Sequence, residues 1–289
     1  MKAAIDIGTN TIRMLVGEVE EGRVKVHRQF LAEPRLGVGI TKGILTKEAI
    51  ERTVKALGEL KKVTEDYKLQ EVLIVATSAV RDAANKEDFL DEVFQKTGWQ
   101  VKIITGDEEA FLSYTGALSS LPEIYGVPVI VDIGGGSTEV IFQREGQIKT
   151  VSVNVGAVRL CEAGWPHEEL NRNLSPLFQE IHLKDKISLV AVGGTATTAA
   201  TIHFGIKKYC RKAVHGRSIA YEDLVGLKDQ LAAMTITERR KVVGLTPKRA
   251  DIIIPGLEIL ISILERLGES RVLISDAGIL DGILLGKLS

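Results

Sequence analysis

Two aspartates end apolar runs directly before glycine turns, an arrangement that suits the binding of a metal ion and phosphate. Asp132 ends the run that begins at Val127, and Asp6 ends a similar run at the start of the chain. A carboxylate at the end of a buried strand offers hard oxygen ligands to Mg²⁺. Glycines let backbone N–H groups approach an anion closely because no Cβ intervenes. For one such turn taken alone, the structural alternative is a tight β-hairpin whose aspartate caps backbone N–H groups.

Both turns carry further groups that could bind phosphate, and a third turn repeats the pattern. The groups that follow Asp6 are Gly8, Thr9, Asn10, Thr11 and Arg13. Those that follow Asp132 are Gly134, Gly135, Gly136, Ser137 and Thr138. The third turn consists of Gly193, Gly194 and Thr195. Three turns in matching contexts favour phosphate-binding loops over isolated hairpins. Glu139, on the strand that returns from the second turn, is a candidate metal ligand, and an exposed strand carboxylate is the alternative.

The order of predicted elements repeats between the two halves of the chain. Three consecutive strands are predicted over 2–7, 13–20 and 22–30, and again over 127–133, 137–143 and 147–153. Helices and buried strands then alternate, an order typical of ribonuclease-H-like domains. We therefore predict an α/β fold of two duplicated ribonuclease-H-like domains, of the actin-like ATPase and sugar-kinase superfamily, with a central cleft. The N-terminal domain is predicted over 1–122 and the C-terminal domain over 123–289.

Two arginines are candidates for binding the phosphate oxygens. Arg13 follows the first glycine turn, and Arg81 follows a buried strand through Ser78. The planar guanidinium stays charged and matches the geometry of phosphate oxygens. Ser78 and Asn10 could add neutral hydrogen bonds. For each arginine the alternative interpretation is a structural ion pair.

The adjacent glutamates Glu108 and Glu109 follow Gly106 at a predicted helix start. Glutamates are common at this position because the helix dipole favours negative charge there. A metal-assisted hydrolase also needs a base that orients and deprotonates water. Only one of two adjacent helical residues can face a given site, so at most one of them is that base.

Composition excludes several classes of function. The 289 residues carry a net charge of −1, so no global basic field favours nucleic acid or an anionic membrane. The two cysteines show no metal-ligand spacing and are expected to be ordinary thiols of a reducing compartment. The first strand begins almost at Met1, and no apolar run reaches the length of a membrane span. We therefore expect a cytoplasmic protein.

At the level of motifs, the chain resembles the exopolyphosphatase/guanosine pentaphosphate phosphohydrolase family. The matching blocks are 6–13, 76–85, 105–110, 132–139, 190–200, 215–216 and 244–251. The glycine turns are shared with other actin-like proteins, whereas the order Ala-Thr-Ser-x-x-Arg and then Gly-x-Glu-Glu-Ala is specific to this family. There are two departures. Thr11 stands where serine is commoner, and 278–282 lacks an arginine that is often found there.

The resemblance implies a phosphoanhydride hydrolase that uses Mg²⁺, with Mn²⁺ as the alternative metal. It implies that Glu109 positions or activates the water and that Asp132 and Glu139 lie near the metal. Asp6 is a further candidate metal ligand because it ends a strand beside a glycine turn. The loops at 8–13, 78–81, 134–138 and 193–195 would hold phosphates. Because the chain lacks the C-terminal helical extension of longer members, short polyphosphate chains are the expected substrate. The resemblance also implies a homodimer.

Three other functions remain open at this point. Guanosine penta- or tetraphosphate presents the same terminal phosphoanhydride as polyphosphate, so the sequence does not separate the two substrates. An ATP-driven kinase or ATPase is disfavoured by the Arg81 and Glu109 blocks. A non-catalytic sensor of polyphosphate or alarmone is disfavoured because all the candidate catalytic carboxylates are present.

Overall fold

Each of two α/β units is built on a mixed sheet that begins with an antiparallel meander. The computed structural model describes residues 1–39, 43–119, 121–122, 124–181 and 186–288. The first unit comprises Met1–Ser119 together with Gly278–Ser289, and the second comprises Ser120–Ala277.

The first unit contains a five-stranded sheet in the order β3-β2-β1-β4-β5. β1 pairs antiparallel with β2 and parallel with β4, and β5 is also parallel to β4. Its elements are β1 (Lys2–Ile7), β2 (Ile12–Glu20), β3 (Arg23–Ala32), α1 (Lys47–Glu65), β4 (Glu71–Ala76), α2 (Ser78–Arg81), α3 (Lys86–Thr97), β5 (Lys102–Ile103) and α4 (Gly106–Leu118).

The second unit contains a six-stranded sheet in the order β10-β11-β9-β6-β7-β8. Its elements are β6 (Val127–Ile133), β7 (Thr138–Arg144), β8 (Gln147–Val153), α5 (Ala157–Ala163), α6 (His167–Glu180), β9 (Ile187–Val192), α7 (Gly193–His203), α8 (Arg211–Val214), β10 (Ser218–Ala220), α9 (Tyr221–Ala232), α10 (Ile236–Arg239), the 3₁₀ turn Pro247–Arg249, α11 (Ile253–Leu267) and β11 (Arg271–Ile274).

The two sheets share one topology. The order β8-β7-β6-β9-β11 repeats β3-β2-β1-β4-β5, and in both sheets the first strand lies between its antiparallel hairpin partner and a parallel strand. The predicted duplication of a ribonuclease-H-like α/β fold is confirmed.

The last helix, α12 (Ile279–Leu284), packs in the first unit although it ends the chain. Its Ile279, Ile283 and Leu284 are buried together with Leu15 and Leu112. α12 and α4 approach so closely that a Cβ added at Gly282 would lie 2.2 Å from the carbonyl oxygen of Leu112. The division of the structure therefore differs from the predicted one, which assigned all of 123–289 to the second domain. Glu123, where that predicted domain begins, lies outside the described residues.

No helix in the described part of the chain combines the length and apolar character that crossing a membrane requires.

Candidate active site

The first glycine turns of the two units have the same backbone geometry. In the first unit the N–H of Gly8 donates to the carbonyl of Thr11, and in the second the N–H of Gly134 donates to that of Ser137, both at 2.9 Å. Each turn joins two strands whose facing positions carry charged side chains. Asp6 pairs with Arg13 across β1 and β2, and Asp132 pairs with Glu139 across β6 and β7. The duplicated hairpin thus carries a carboxylate facing a guanidinium in the first unit and two facing carboxylates in the second.

Asp6 and Arg13 form an ion pair in the first unit. Arg13 donates to Oδ2 of Asp6 through Nη2 at 2.7 Å and through Nε at 3.2 Å. Asp6 is only 3% exposed, and its Oδ1 has no hydrogen-bond partner among the described residues. A buried carboxylate oxygen without a donor is costly. The Oδ1 atom therefore fits a role as acceptor for a metal ion, a metal-bound water or another donor.

The segment that begins at Ser78 lies beside the first turn. The N–H of Thr77 donates to the carbonyl of Ile7 at 3.2 Å, continuing the pairing of β1 with β4. As a result, the hydroxyls of Ser78 and Thr9 lie 3.1 Å apart. The structure therefore brings the predicted 8–13 and 78–81 loops together in one unit. Asn10 is exposed at the same turn.

Arg81 connects this loop to Glu109. Its Nη1 donates to Oε2 of Glu109 at 3.0 Å and to the carbonyl of Ile104 at 3.2 Å. Since Ile104 directly follows β5, the guanidinium is fixed to the sheet as well as to the carboxylate. Arg81 therefore orients Glu109 through one of its two carboxylate oxygens.

The environment of Glu109 favours the protonated carboxyl. Burial raises its pKa, and the hydrogen bond and positive charge of Arg81 oppose that shift. The negative charge of Asp6 raises the pKa further, and the charge of Arg13 lowers it. The pKa of Glu109 thus depends on the charges of Asp6 and Arg13 as well as on Arg81.

The adjacent Glu108 has a structural role. Its Oε2 accepts from the N–H of Thr105 at 2.9 Å while the hydroxyl of Thr105 accepts from the N–H of Glu108, which makes a capping box at the start of α4. Its Oε1 pairs with Nζ of Lys102 at 3.2 Å. The Thr105 hydrogen bond and, to a smaller extent, Lys102 lower the pKa of Glu108. The pKa values of the two adjacent carboxyls are therefore shifted in opposite directions, which is typical of neighbouring carboxyls with different tasks.

In the second unit, Asp132 and Glu139 lie side by side. Directly opposed residues of an antiparallel pair place their side chains on the same face of the sheet. Ser152, the partner of Glu139 on β8, donates its hydroxyl to Oε1 of Glu139 at 3.0 Å. Two neighbouring carboxylates, one of them oriented by a hydroxyl, fit a Mg²⁺ ion that completes its shell with water and phosphate oxygens. The described residues include no cluster of three or more His, Cys, Asp or Glu side chains that could hold a metal ion.

The third turn lies directly against Asp132. Gly193 has φ +81°, and a Cβ added there would lie 2.4 Å from Oδ1 of Asp132. Only glycine fits this position, for both reasons. Gly193 also begins α7, whose N-terminal N–H groups suit an anion.

Two predicted phosphate ligands differ from expectation. The hydroxyl of Thr138 is fully buried and donates to the carbonyl of Val155 at 2.6 Å. Thr195 is 8% exposed and packs against Gly256 of α11, where an added Cβ would lie 2.7 Å from its hydroxyl oxygen. These side chains support the turns from inside the unit, so a contribution to phosphate binding would have to come from their backbone. Ser137 and the three glycines before it remain at least partly exposed.

Two arginines that the prediction did not include lie at the turns of the second unit. Nε of Arg159, on α5, donates to the carbonyl of Gly136 at 3.0 Å. Nη1 of Arg249 donates to the carbonyl of Gly194 at 2.5 Å and to the hydroxyl of Thr198 at 2.6 Å. Arg249 belongs to the Gly244–Asp251 block of the sequence. The match of that block to the family could have marked Arg249 as a candidate, although nothing in the spacing of the block indicates where the guanidinium lies.

His215, which lies in the matching block 215–216, connects backbone segments. Its Nδ1 accepts from the N–H of Asp276 at 3.2 Å and lies 3.3 Å from the hydroxyl of Ser275. The ring therefore joins the end of α8 to the segment that follows β11.

The fold defines an α/β protein with a duplicated domain, in which each unit carries a glycine turn beside a carboxylate. The model of the Ppx/GppA phosphatase family matches residues 31–289, and the chain belongs to that family.

Named relatives and solved structures agree with this assignment. The chain is 32% identical to Exopolyphosphatase 2 of Mycobacterium tuberculosis, over 98% of this chain and 97% of that protein. It is also 32% identical to the Bifunctional 3-dehydroquinate synthase/phosphatase of Fusobacterium nucleatum, but spans only 46% of that longer protein. The crystal structure of the type II variant of the Aquifex aeolicus Ppx/GppA phosphatase is 29% identical, with a TM-score of 0.86 over 100% of this chain and 99% of that one. An exopolyphosphatase from Cytophaga hutchinsonii is 26% identical, with a TM-score of 0.80 over 99% and 97% of the two chains.

Proposed function

We propose that this phosphatase hydrolyses the terminal phosphoanhydride of inorganic polyphosphate with the help of Mg²⁺. The observation that carries the proposal is the Arg81–Glu109 contact of 3.0 Å, in which a carboxyl of raised pKa is held in a fixed orientation. The name of the Mycobacterium tuberculosis relative supports polyphosphate as the substrate.

Glu109 is the proposed base. A carboxylate whose pKa is raised by burial accepts a proton from water more readily than an ordinary glutamate does. The contact with Arg81 fixes the direction in which the carboxylate points, so that the water it binds is oriented toward the phosphorus atom. Proton transfer to Glu109 then accompanies attack of the water oxygen on the terminal phosphorus. The anhydride P–O bond breaks, orthophosphate forms, and the shortened chain leaves with the electron pair of that bond.

Asp132 and Glu139 are the proposed ligands of Mg²⁺, with Mn²⁺ as the alternative metal. The ion held by these two carboxylates would supply positive charge against the phosphoryl oxygens. Ser152 holds Glu139 in place, and Gly193 leaves room for Asp132. Asp6 is proposed as a further metal ligand through Oδ1, which has no hydrogen-bond partner among the described residues.

The remaining predicted groups are proposed to bind phosphate oxygens. Arg13 is half exposed while it pairs with Asp6, so its guanidinium can also contact a phosphate oxygen. Backbone N–H groups at the turns 8–11, 134–137 and 193–194 would supply further donors. The hydroxyls of Thr9, Ser78 and Ser137 would be further hydrogen-bond donors to the phosphate oxygens.

Guanosine pentaphosphate is the second candidate substrate, favoured by the family to which the chain belongs. Its terminal phosphoanhydride presents the same reacting atoms, so the same residues would act on it. A preference for short polyphosphate chains is proposed from the family resemblance, as are the homodimer and the cytoplasmic location. Light scattering on the purified protein would measure the oligomeric state.

Phosphate release from short polyphosphate, long polyphosphate and guanosine pentaphosphate, each with Mg²⁺ and with EDTA, tests the proposal. We expect metal-dependent release that is fastest from short polyphosphate. Faster release from guanosine pentaphosphate would replace the main substrate with the second candidate. Tight binding without release from any substrate would identify a sensor and overturn the proposal.

A further inference from the structure

A cavity of about 490 Å³ lies in the second unit and shares no residue with the proposed phosphate-binding turns. Its walls come from the start of α6 and from helices α9 and α11. The side chains that matter for its chemistry are Trp165, Tyr221, Lys228, Glu258, Ser262 and Glu265. The cavity therefore combines two aromatic rings with several polar groups, as small-molecule sites do.

Ser262 is the first indication that the cavity takes a ligand. It is 1% exposed, lines the cavity and has no hydrogen-bond partner among the described residues. A buried hydroxyl without a partner destabilises a protein, and a serine in a helix usually bonds to a carbonyl of the preceding turn. A ligand with a hydrogen-bonding group in the cavity would satisfy Ser262.

Glu258 is the second indication. It lies one turn before Ser262 on α11, so the two side chains project from the same face of the helix. Burial raises the pKa of Glu258, and the charges of Lys228 and His167 only partly oppose this. No hydrogen bond or ion pair of Glu258 occurs within the described part of the chain, while Lys228 contacts Asp229 at 3.2 Å. Its carboxylate is thus partly desolvated and without a direct donor.

Glu265 and Tyr221 form the other end of the cavity. The hydroxyl of Tyr221 donates to Oε1 of Glu265 at 2.5 Å. Glu265 follows Ser262 by three residues, so Glu258, Ser262 and Glu265 form a row of acceptors along one face of α11. The rings of Trp165 and Tyr221 offer faces that attract a cation.

We propose that this cavity binds a small aliphatic amine. The ammonium group is held by Glu258 and the hydroxyl of Ser262, and the alkyl chain packs against Trp165 and Tyr221. A neutral apolar molecule would leave both polar groups unsatisfied. The lining carries two glutamates and one lysine, Lys228, which already contacts Asp229 at 3.2 Å, so the cavity favours a cation over an anion. The proposal does not depend on the phosphatase activity.

Isothermal titration calorimetry of the whole chain with 1,4-diaminobutane tests the proposal, with 1,4-butanediol as a neutral probe of similar shape. We expect saturable binding of the diamine at one site per chain and no measurable binding of the diol. Glu258→Gln should weaken diamine binding by about tenfold or more, a loss typical of a charged hydrogen bond. Glu162→Gln, an exposed glutamate on α5 outside the cavity, should leave binding unchanged.

Ser262→Ala provides a second variant that does not depend on charge. Because this substitution removes an unsatisfied buried hydroxyl, the melting temperature should stay the same or rise while diamine binding weakens. Equal binding of diol and diamine, unchanged binding in Glu258→Gln, or no saturable binding of the diamine would each overturn the proposal.

Discussion

Glu109 accepts a hydrogen bond of 3.0 Å from Nη1 of Arg81. The same nitrogen also donates to the carbonyl of Ile104. The contact ties the candidate base to the first sheet and partly offsets the effect of burial on its pKa. Removing Arg81 therefore changes both the orientation of Glu109 and its proton affinity.

Arg81→Gln should shift the acid limb of the pH–rate profile to higher pH. Burial raises the pKa of Glu109 and Arg81 lowers it, so the pKa rises further when the guanidinium is lost. A base must be ionised to act, so activity should appear only at a higher pH than in the wild type. The measurement is kcat/KM for polyphosphate from pH 5 to pH 9. An acid limb that stays in place or moves to lower pH would contradict the role of Arg81.

Ser152→Ala should weaken Mg²⁺ binding by about tenfold or more, since a residue that orients a metal ligand typically contributes that much. The hydroxyl of Ser152 holds Oε1 of Glu139 at 3.0 Å. Electron paramagnetic resonance of bound Mn²⁺ would measure the affinity independently of turnover. Thr150→Ala, an exposed residue two positions earlier on the same strand, is the matched control. Equal Mn²⁺ affinity in both variants would remove Glu139 from the proposed metal site.

Gly193→Ala should abolish phosphate release, because the added Cβ would lie 2.4 Å from Oδ1 of Asp132. Gly205→Ala is the control that separates the effect of this clash from the effect of backbone strain. Gly205 also has a positive φ, +63°, but nothing lies within 4 Å of a Cβ added there. Both variants should lose some thermal stability, and only Gly193→Ala should lose activity. Parallel loss of activity in the two variants would mean that strain alone explains the effect.

Thr105→Ala should lower the free energy of unfolding by about 1 kcal/mol, the usual cost of losing a helix cap. The Thr105 hydroxyl accepts from the N–H of Glu108, and the loss of this bond frees the start of α4 on which Glu109 lies. Urea unfolding would measure the change. A variant as stable as the wild type would show that the capping box contributes little.

Much of the fold could be predicted because its signals are local. The apolar strands that end at Asp6 and Asp132, with their glycine turns, were readable from the sequence. Their repetition indicated the duplicated sheets. The predicted strand pairs matched the observed hairpins to within a few residues.

Other features depend on contacts that the sequence does not reveal. The position of α12 in the first unit rests on the close approach of Gly282 to Leu112, which are far apart in the chain. Helix α6 continues through Pro176, a residue type that normally interrupts a helix, so its length is not readable from the sequence. Spacing also could not distinguish Glu108 from Glu109. The capping box of Glu108 and the Arg81 contact of Glu109 give the two carboxyls different surroundings, which spacing does not show.

The most direct test of the account compares Glu109→Gln with Glu108→Gln. Glutamine at 108 can still cap α4, whereas glutamine at 109 cannot accept a proton from water. We expect Glu109→Gln to lower kcat for phosphate release by about 10² to 10⁴, the usual contribution of a general base, while polyphosphate binding is retained. Glu108→Gln should keep nearly full activity. Turnover by Glu109→Gln close to that of the wild type, or a larger loss in Glu108→Gln, would contradict the assignment of Glu109 as the base.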